Sequence, residues 1–281
     1  MQTIRQIAEL RSAVAALRAD GPVALVPTMG ALHAGHMALV AEARLRAKHV
    51  VVSIFVNPKQ FGPNEDLAAY PRRLSSDSAM LTEGGAAILW LPDVETMYPE
   101  GFATHIAVSG VSEPMDGAAR PGHFDGVATV VAKLFNQVRP DIAVFGEKDY
   151  QQLAVIRRMA ADLDMGVEIV GVSTQRDADG VALSSRNAYL TEEDRVHARA
   201  LPRALGEAAI AIEQGQDPAQ AIEAAKAAIL KAGFESIDYV DLRDAETLAL
   251  DPAPDRPARI LVAARIGGTR LIDNLAIKPR A

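Results

Sequence analysis

The chain contains no cysteine. That absence excludes disulfides, cysteine nucleophiles and cysteine-ligated zinc or iron–sulfur centres, and it fits a reducing cytoplasm. Positive charge is in deficit. The 29 Lys and Arg are outnumbered by 36 Asp and Glu, leaving a net charge of −7 over 281 residues. This excludes a nucleic-acid surface that works through net charge, because phosphate contacts need clustered Lys and Arg. A local basic pocket for one small anion stays open. Long apolar runs are also missing: none reaches the ~18 residues of a membrane span. Arg5, Glu9, Arg11 and Arg18 interrupt the N-terminal segment before it attains the length of a signal-peptide core. Internal repeats and low-complexity tails are absent. The expectation is a soluble, cytosolic chain without nucleic-acid or membrane partners. What is present, 49% hydrophobic and 23% charged residues, is ordinary globular composition. At ~150 residues per domain the length suggests two domains.

The patterning divides accordingly. Ile4, Ile7, Leu10, Val14 and Leu17 recur at helical spacing, and Gly21-Pro22 stops that helix. Short apolar, β-branched runs at Val23–Val26, Val50–Val56, Ala86–Leu91, Ile142–Phe145 and Val167–Val172 read as buried strands. Helical patterns separate them at 34–47, from about residue 72, at 124–138 and at 149–163. Strands alternating with helices imply an α/β, Rossmann-like, doubly wound parallel sheet. After about residue 174 the pattern changes. Two Ala-rich helical stretches, 192–213 and 218–231, precede strands at Ser236–Leu242 and Arg259–Ile266, and Gly267-Gly268 signals a two-residue hairpin. We therefore expect a boundary near residue 175, with residues 1–175 in the Rossmann-like domain. Residues 176–281 would form a smaller α+β domain containing an antiparallel hairpin.

Five segments carry chemistry. Pro27-Thr28-Met29-Gly30-Ala31-Leu32-His33-Ala34-Gly35-His36 joins the first strand to a helix, the junction that faces the ligand crevice of an open α/β sheet. Its glycines allow close backbone approach, the helix start favours phosphate, and His33 and His36, three apart, share a face. Asn57 and Gln60, after the next strand, offer uncharged amides to a hydroxyl, carboxylate or amine. Gly146-Glu147-Lys148-Asp149 again follows a strand and opens a helix, with Gln152 one turn on from Asp149. Leu183-Ser184-Ser185-Arg186-Asn187 places two hydroxyls and an arginine in a loop suited to gripping a polyphosphate. Arg120-Pro121-Gly122-His123-Phe124 precedes a helix. Singly, each of these can also be read as a tight turn, a hinge or a solvated charge cluster.

Taken in order, PTMGALHxGH, SIFVNPxQF, RPxHFxGV, FGEKDYQQL and LSSRN resemble the pantoate–β-alanine ligase family over essentially the whole chain. HxGH resembles the HIGH motif of class I aminoacyl-tRNA synthetases, and LSSRN stands where their KMSKS loop would be. The resemblance implies ATP-dependent condensation of pantoate with β-alanine, yielding pantothenate, AMP and pyrophosphate through a pantoyl adenylate. It also implies Mg²⁺ and a homodimer. It assigns Met29, Gly30, Ala31, Leu32, His33, Ala34, Gly35 and His36 to the ATP site, with both histidines on the transferring phosphate and His36 as proton donor. Gly146, Glu147, Lys148, Asp149, Gln175, Leu183, Ser184, Ser185 and Arg186 would bind ATP too. Lys148, Ser184, Ser185 and Arg186 count among the catalytic groups. Gln60 and Gln152 would hold pantoate, Asn57 would lie near the amine, and Arg120 and His123 would support the pantoate pocket.

Three positions depart from the family's pattern. Lys59 replaces a usual Met and adds a charge beside the expected substrate pocket. Gln175 replaces a usual Val. Ser75-Ser76-Asp77 leaves a single acid where two adjacent acids are common, so Asp77 alone is expected as a metal contact. Two further readings stay open at this stage: another adenylate-forming relative, and an ATP-binding module without catalysis.

Overall fold

The computed structural model describes residues 1–279 apart from 64, 251 and 254. Strand β1 (Gln2–Ile4), helix α1 (Ile7–Arg18), β2 (Val23–Thr28), α2 (Ala34–Arg46), β3 (His49–Ile54), α3 (Leu74–Glu83) and β4 (Ile88–Trp90) come first. The short helices α4 (Val94–Met97) and α5 (Asp116–Ala119) lead to α6 (His123–Val138), β5 (Ile142–Gly146), α7 (Tyr150–Asp162) and β6 (Glu168–Val172). The six strands form one parallel sheet in the order β1-β4-β3-β2-β5-β6. It is the doubly wound α/β sheet expected from the alternation.

Burial on both faces explains the continuous apolar strands. Val23 and Leu25 of β2 pack with α1, α6 and α7, whereas Ala24 and Val26 pack with α2 and α3 on the opposite face. From β2 the chain builds outward to β3 and β4, then returns to start β5 on the other side of β2. The carboxyl ends of β2 and β5 thus flank a topological switch point, where open α/β sheets bind ligands.

Two details differ from the patterning. Ile4, read with the first helix, instead ends an edge strand of residues 2–4, paired Gln2↔Ile88 to Ile4↔Trp90; three residues are too few to display a period. The stretch 192–213 is two helices, α8 (Glu192–Ala198) and α9 (Ala200–Glu213), because Pro202 has no N–H to offer the Ala198 carbonyl.

Helix α10 (Pro218–Lys231) precedes three antiparallel strands, β7 (Ser236–Asp244), β8 (Ala258–Ile266) and β9 (Thr269–Ile277). Ile266 pairs with Thr269 across the Gly267-Gly268 hairpin. Residues from Val181 to Ile277, including α9 and α10, share a core separate from those under the parallel sheet.

The small sheet grips the large one through polar side chains. Asn274 donates from Nδ2 to the carbonyls of Glu147 and Lys148, at 2.9 Å each. Arg259 pairs with Glu147 at 3.1 Å and lies 3.8 Å over the Tyr150 ring. Arg270 and Tyr239 both reach Asp116, at 2.6 and 3.0 Å.

Helix α6 is buried along most of its length and carries Gly126 against the turn 58–60. A Cβ at Gly126 would press on the Lys59 carbonyl and sit 2.7 Å from the Gln60 amide nitrogen. Gly126→Ala is therefore expected to lower the unfolding free energy by about 1–3 kcal/mol through overpacking. An unchanged urea midpoint would show that the turn moves aside without cost.

Candidate active site

The turn after β2 is shaped by backbone sterics. Gly30 and Ala31 both adopt positive φ, +86° and +50°. Two successive left-handed residues turn the N–H groups of Ala31 and Leu32 to one side. There Asp77 of α3, 2% exposed, accepts both at 2.9 Å. A Cβ on Gly30 would lie 3.2 Å from the same carboxylate, so the position requires glycine. Asp77, expected as a metal contact, thus serves the backbone of the HxGH turn. Among the described residues no group of three or more His, Asp and Glu is arranged to hold a metal ion.

His33 caps α2: its Nδ1 accepts the Gly35 N–H at 3.1 Å, and the His36 Nδ1 accepts the His33 N–H at 3.4 Å. Both rings use Nδ1 as acceptor, so both carry their proton on Nε2 and are neutral. Burial lowers the affinity of each for a second proton. Lys148 adds to this at His33, and at His36 the neighbouring His33 helps to push the pKa down to about 3. The ring centroids are 4.1 Å apart. The pair is a neutral two-donor device aimed into the cleft, not a pair of imidazolium cations.

Asn57 is 1% exposed and fully engaged. Its Oδ1 accepts from Tyr98 Oη at 2.7 Å and from the Lys59 N–H at 3.3 Å; its Nδ2 donates to the Gly126 carbonyl at 3.1 Å and to Gln60 Oε1 at 3.0 Å. Gln60 therefore turns its NH₂ outward, with Met29 Sδ at 3.3 Å. Arg120 grips Glu65 with two bonds of 2.7 Å and donates to His123 Nε2 at 3.0 Å, while the His123 Nδ1–H donates to the Gln60 carbonyl at 2.8 Å. Burial and the Arg120 charge push the His123 pKa down to about 4.

The third wall joins both parts of the chain. Lys148 Nζ stands 3.7 Å from Asp149. Burial opposes ionisation of Asp149, but Lys148 and Arg186 outweigh it and hold the carboxyl below its ordinary value. Ser184 Oγ accepts the Arg186 N–H at 3.3 Å, Ser185 Oγ donates to the Ala31 carbonyl at 3.1 Å, and Arg186 pairs with Asp66 at 2.8 and 3.0 Å. The Leu183 N–H bonds the Gln175 carbonyl at 2.9 Å.

These walls enclose two adjoining cavities of about 210 and 340 Å³ that share Met29, Gln60, Lys148, Asp149, Gln152, Ser184 and Arg186. The smaller is also lined by His33, Gly35, His36, Asn57, Gly146, Gln175, Leu183 and Ser185; the larger, by Arg120 and His123, opens toward β8 and β9. The sequence-assigned residues thus converge, with exceptions. Gly30, Ala31, Leu32 and Ala34 line neither cavity and shape the turn instead. Glu147, expected at ATP, lines neither and is turned onto Arg259 by their ion pair. Lys59 is exposed, with Nζ 5.1 Å from the Tyr98 ring centre and 5.4 Å from that of Phe102, so its charge lies outside the cavities. Gln175 points its side chain at the Ser173 carbonyl. Glu65, Asp66, Tyr98, Arg259 and Asn274 were invisible to sequence reasoning because the site residues they hold, Arg120, Arg186, Asn57 and Glu147, lie 41 or more residues away.

A parallel sheet with paired histidines, a lysine and a hydroxyl-bearing loop at its switch point places this chain among the nucleotide-using α/β enzymes. More narrowly, the chain belongs to the pantoate-beta-alanine ligase family, whose model matches residues 2–276. It is 68% identical over 280 residues to the pantothenate synthetase of Rhizorhabdus wittichii, covering 99% of each chain. Identity to that of Sphingopyxis alaskensis is 62% over 278 residues, 99% of this chain and all of the relative. Pantothenate synthetase from Thermus thermophilus superposes with a TM-score of 0.93 at 50% identity, over 99% of this chain and 100% of that one. The Francisella tularensis pantoate-beta-alanine ligase, solved with beta-gamma ATP and beta-alanine, has a TM-score of 0.83 at 34% identity, covering 98% and 97%.

Two expectations follow from the buried polar groups. Asp77→Ala strands two backbone N–H groups and should lower the unfolding free energy by about 2–5 kcal/mol, with Asp77→Asn losing roughly half as much; equal stability of all three proteins in urea would refute the anchoring role. The imidazoles of His36 and His123 have folded pKa values of about 3 and about 4. Below pH 6.5 the unfolded chain takes up protons that the folded rings refuse. Stability should therefore fall with pH from 6.5 toward 4, each ring contributing about 1.4 kcal/mol per pH unit. His123→Gln should make the slope shallower by one ring's share; an identical slope would contradict the assignment.

Proposed function

We propose that the cleft carries out both half-reactions of the family's chemistry. In the first, a pantoate carboxylate oxygen attacks the α-phosphorus of ATP; an oxygen–phosphorus bond forms, and pyrophosphate leaves. In the second, the amine of β-alanine attacks the acyl carbon of the pantoyl adenylate, AMP leaves, and the amine proton passes to solvent or leaving group. The observation that carries this reading is the single cleft where His33, His36, Lys148, Ser184, Ser185 and Arg186 face the uncharged amides of Gln60 and Gln152.

Each wall has its own task. The Nε2–H groups of His33 and His36 donate to charge developing on the α-phosphate, and Lys148, Arg186 and the two serine hydroxyls hold the departing pyrophosphate. His36 acts as a neutral hydrogen-bond donor, in keeping with its depressed pKa. Gly146, Asp149, Gln175 and Leu183 receive the nucleoside. Gln60 and Gln152 orient pantoate, Asn57 fixes Gln60, and Arg120 with His123 supports the mouth where β-alanine enters. Mg²⁺ arrives with ATP as part of the substrate, which suits a site whose described residues form no carboxylate cage, since Mg²⁺ is commonly held by phosphates and one or two carboxylates. When bound it neutralises phosphate charge; Asp149 is the acidic group beside Lys148. Asp77 is not assigned to it.

We further assign residues 1–175 to binding ATP and pantoate and 176–281 to closing over the adenylate, which water would otherwise hydrolyse. The bond from Ser185 to Ala31 supports that closure. We place the enzyme in the cytoplasm as a homodimer. No helix among the described residues is long and apolar enough to cross a membrane.

Incubation with ATP, pantoate and β-alanine is expected to yield pantothenate, AMP and pyrophosphate. Without β-alanine, pantoate-dependent exchange of pyrophosphate into ATP should persist. Release of ADP and phosphate would refute the adenylate route. His36→Ala and Lys148→Ala should each slow the exchange at least ~100-fold, as loss of a transition-state donor does.

A further inference from the structure

We infer that Tyr98, a residue that lines neither cavity, sets the pantoate affinity of the enzyme by holding Asn57, and through it the oriented amide of Gln60, firmly in place. The inference rests on the reading of Gln60 as a pantoate ligand.

Tyr98 follows α4 and lines neither cavity. Its ring is held by Phe55 and Phe102, with centroids 6.1 and 5.1 Å away. Its hydroxyl reaches inward to Asn57 Oδ1 at 2.7 Å. The direction of every bond beyond that point is forced. The Lys59 N–H can only donate and the Gly126 carbonyl can only accept, so Asn57 must present Oδ1 to the first and Nδ2 to the second. Tyr98 Oη then has to donate, and burial, which holds the phenol well above its ordinary pKa, keeps that proton in place. The second Nδ2 hydrogen of Asn57 goes to Gln60 Oε1. Gln60 is left with one orientation, its NH₂ facing Met29 and the cavity. A carboxylate or hydroxyl arriving there meets a donor already in place.

The hydroxyl of Tyr98 is the short bond on Asn57 Oδ1; the alternative, the Lys59 N–H, is long at 3.3 Å. Without the hydroxyl, Asn57 keeps one weak acceptor contact in a 1% exposed site, and its grip on Gln60 slackens. A preorganised donor is lost while the pocket walls stay put. The consequence falls on the substrate that Gln60 touches and not on the nucleotide, whose proposed contacts are at residues 33–36, 146–149 and 175 and in the 183–187 loop.

Tyr98→Phe deletes the hydroxyl alone and keeps the ring contacts. Pantoate-dependent pyrophosphate exchange, run alongside Gln60→Ala, separates the possibilities. Tyr98→Phe is expected to raise the KM for pantoate five- to twentyfold, with kcat within threefold, the KM for ATP within twofold and Tm within about 3 °C of the parent. A pantoate KM unchanged in Tyr98→Phe but raised in Gln60→Ala would overturn the Tyr98 role while leaving Gln60 in place. Parallel rises in both KM values would also overturn it, since they report general loosening. An unchanged pantoate KM in Gln60→Ala would overturn the pantoate assignment and the inference with it.

Discussion

The chemistry of this chain hangs from one topological constraint, the place where β2 and β5 lie side by side while their crossovers run in opposite directions. Two parallel strands whose following loops part leave a crevice that neither helix layer can fill. The chain puts its HxGH turn on one lip and Gly146-Glu147-Lys148 on the other. Both lips are backbone turns with N–H or C=O groups to satisfy, and in each, one distant side chain takes two of them. Asp77 takes the N–H groups of Ala31 and Leu32; Asn274 gives its amide to the carbonyls of Glu147 and Lys148. Satisfying such buried groups is close to obligatory, and here it also fixes the geometry of the reacting site.

The polarity of the cleft follows from the same requirement. His33 and His36 are half-buried and use Nδ1 as acceptors, so the phosphate side of the site offers proton donors without adding cations. The cations that Lys148, Arg186 and Arg120 bring to the cleft each have an acid within reach: Arg186 on Asp66, Arg120 on Glu65, Lys148 near Asp149. That balance lets a chain of net charge −7 keep an anion-binding cleft, a local feature that overall charge does not report.

Much of this was legible in the sequence because it depends on local signals. The apolar runs of β2 and β3, the Gly267-Gly268 hairpin and the spacing of His33 and His36 are each encoded within a short stretch of chain, and the resemblance joined them in order. What stayed hidden depends on distant partners. Nothing near Glu147 says that Arg259, 112 residues on, will turn its carboxylate away from the cleft. Nothing near Asp77 says that two amides 45 and 46 residues earlier will claim both its oxygens. Lys59 misled for a similar reason: the aromatic pair Tyr98 and Phe102 that draws its ammonium outward is remote in the chain. The division of 192–213 was readable in principle from Pro202.

The distribution of charge between the walls has a catalytic logic on the proposed reading. Pantoate must arrive as a carboxylate and then lose that charge as its oxygen bonds to phosphorus. A lysine or arginine on the acyl side would grip the ground state most strongly and release that energy just as the transition state forms, which lowers KM without raising the rate. Gln60 and Gln152 avoid this, because a neutral amide orients a carboxylate while stabilising its charge only modestly. The phosphate wall is built the opposite way. Negative charge grows there as pyrophosphate departs, so Lys148 and Arg186 strengthen their hold as the reaction advances. The price of uncharged recognition is that a swivelling amide is a poor donor, and its orientation has to be imposed from behind. In this chain the imposing groups are the peptide units at Lys59 and Gly126 and the hydroxyl of Tyr98, all outside the reach of the substrate they help to hold.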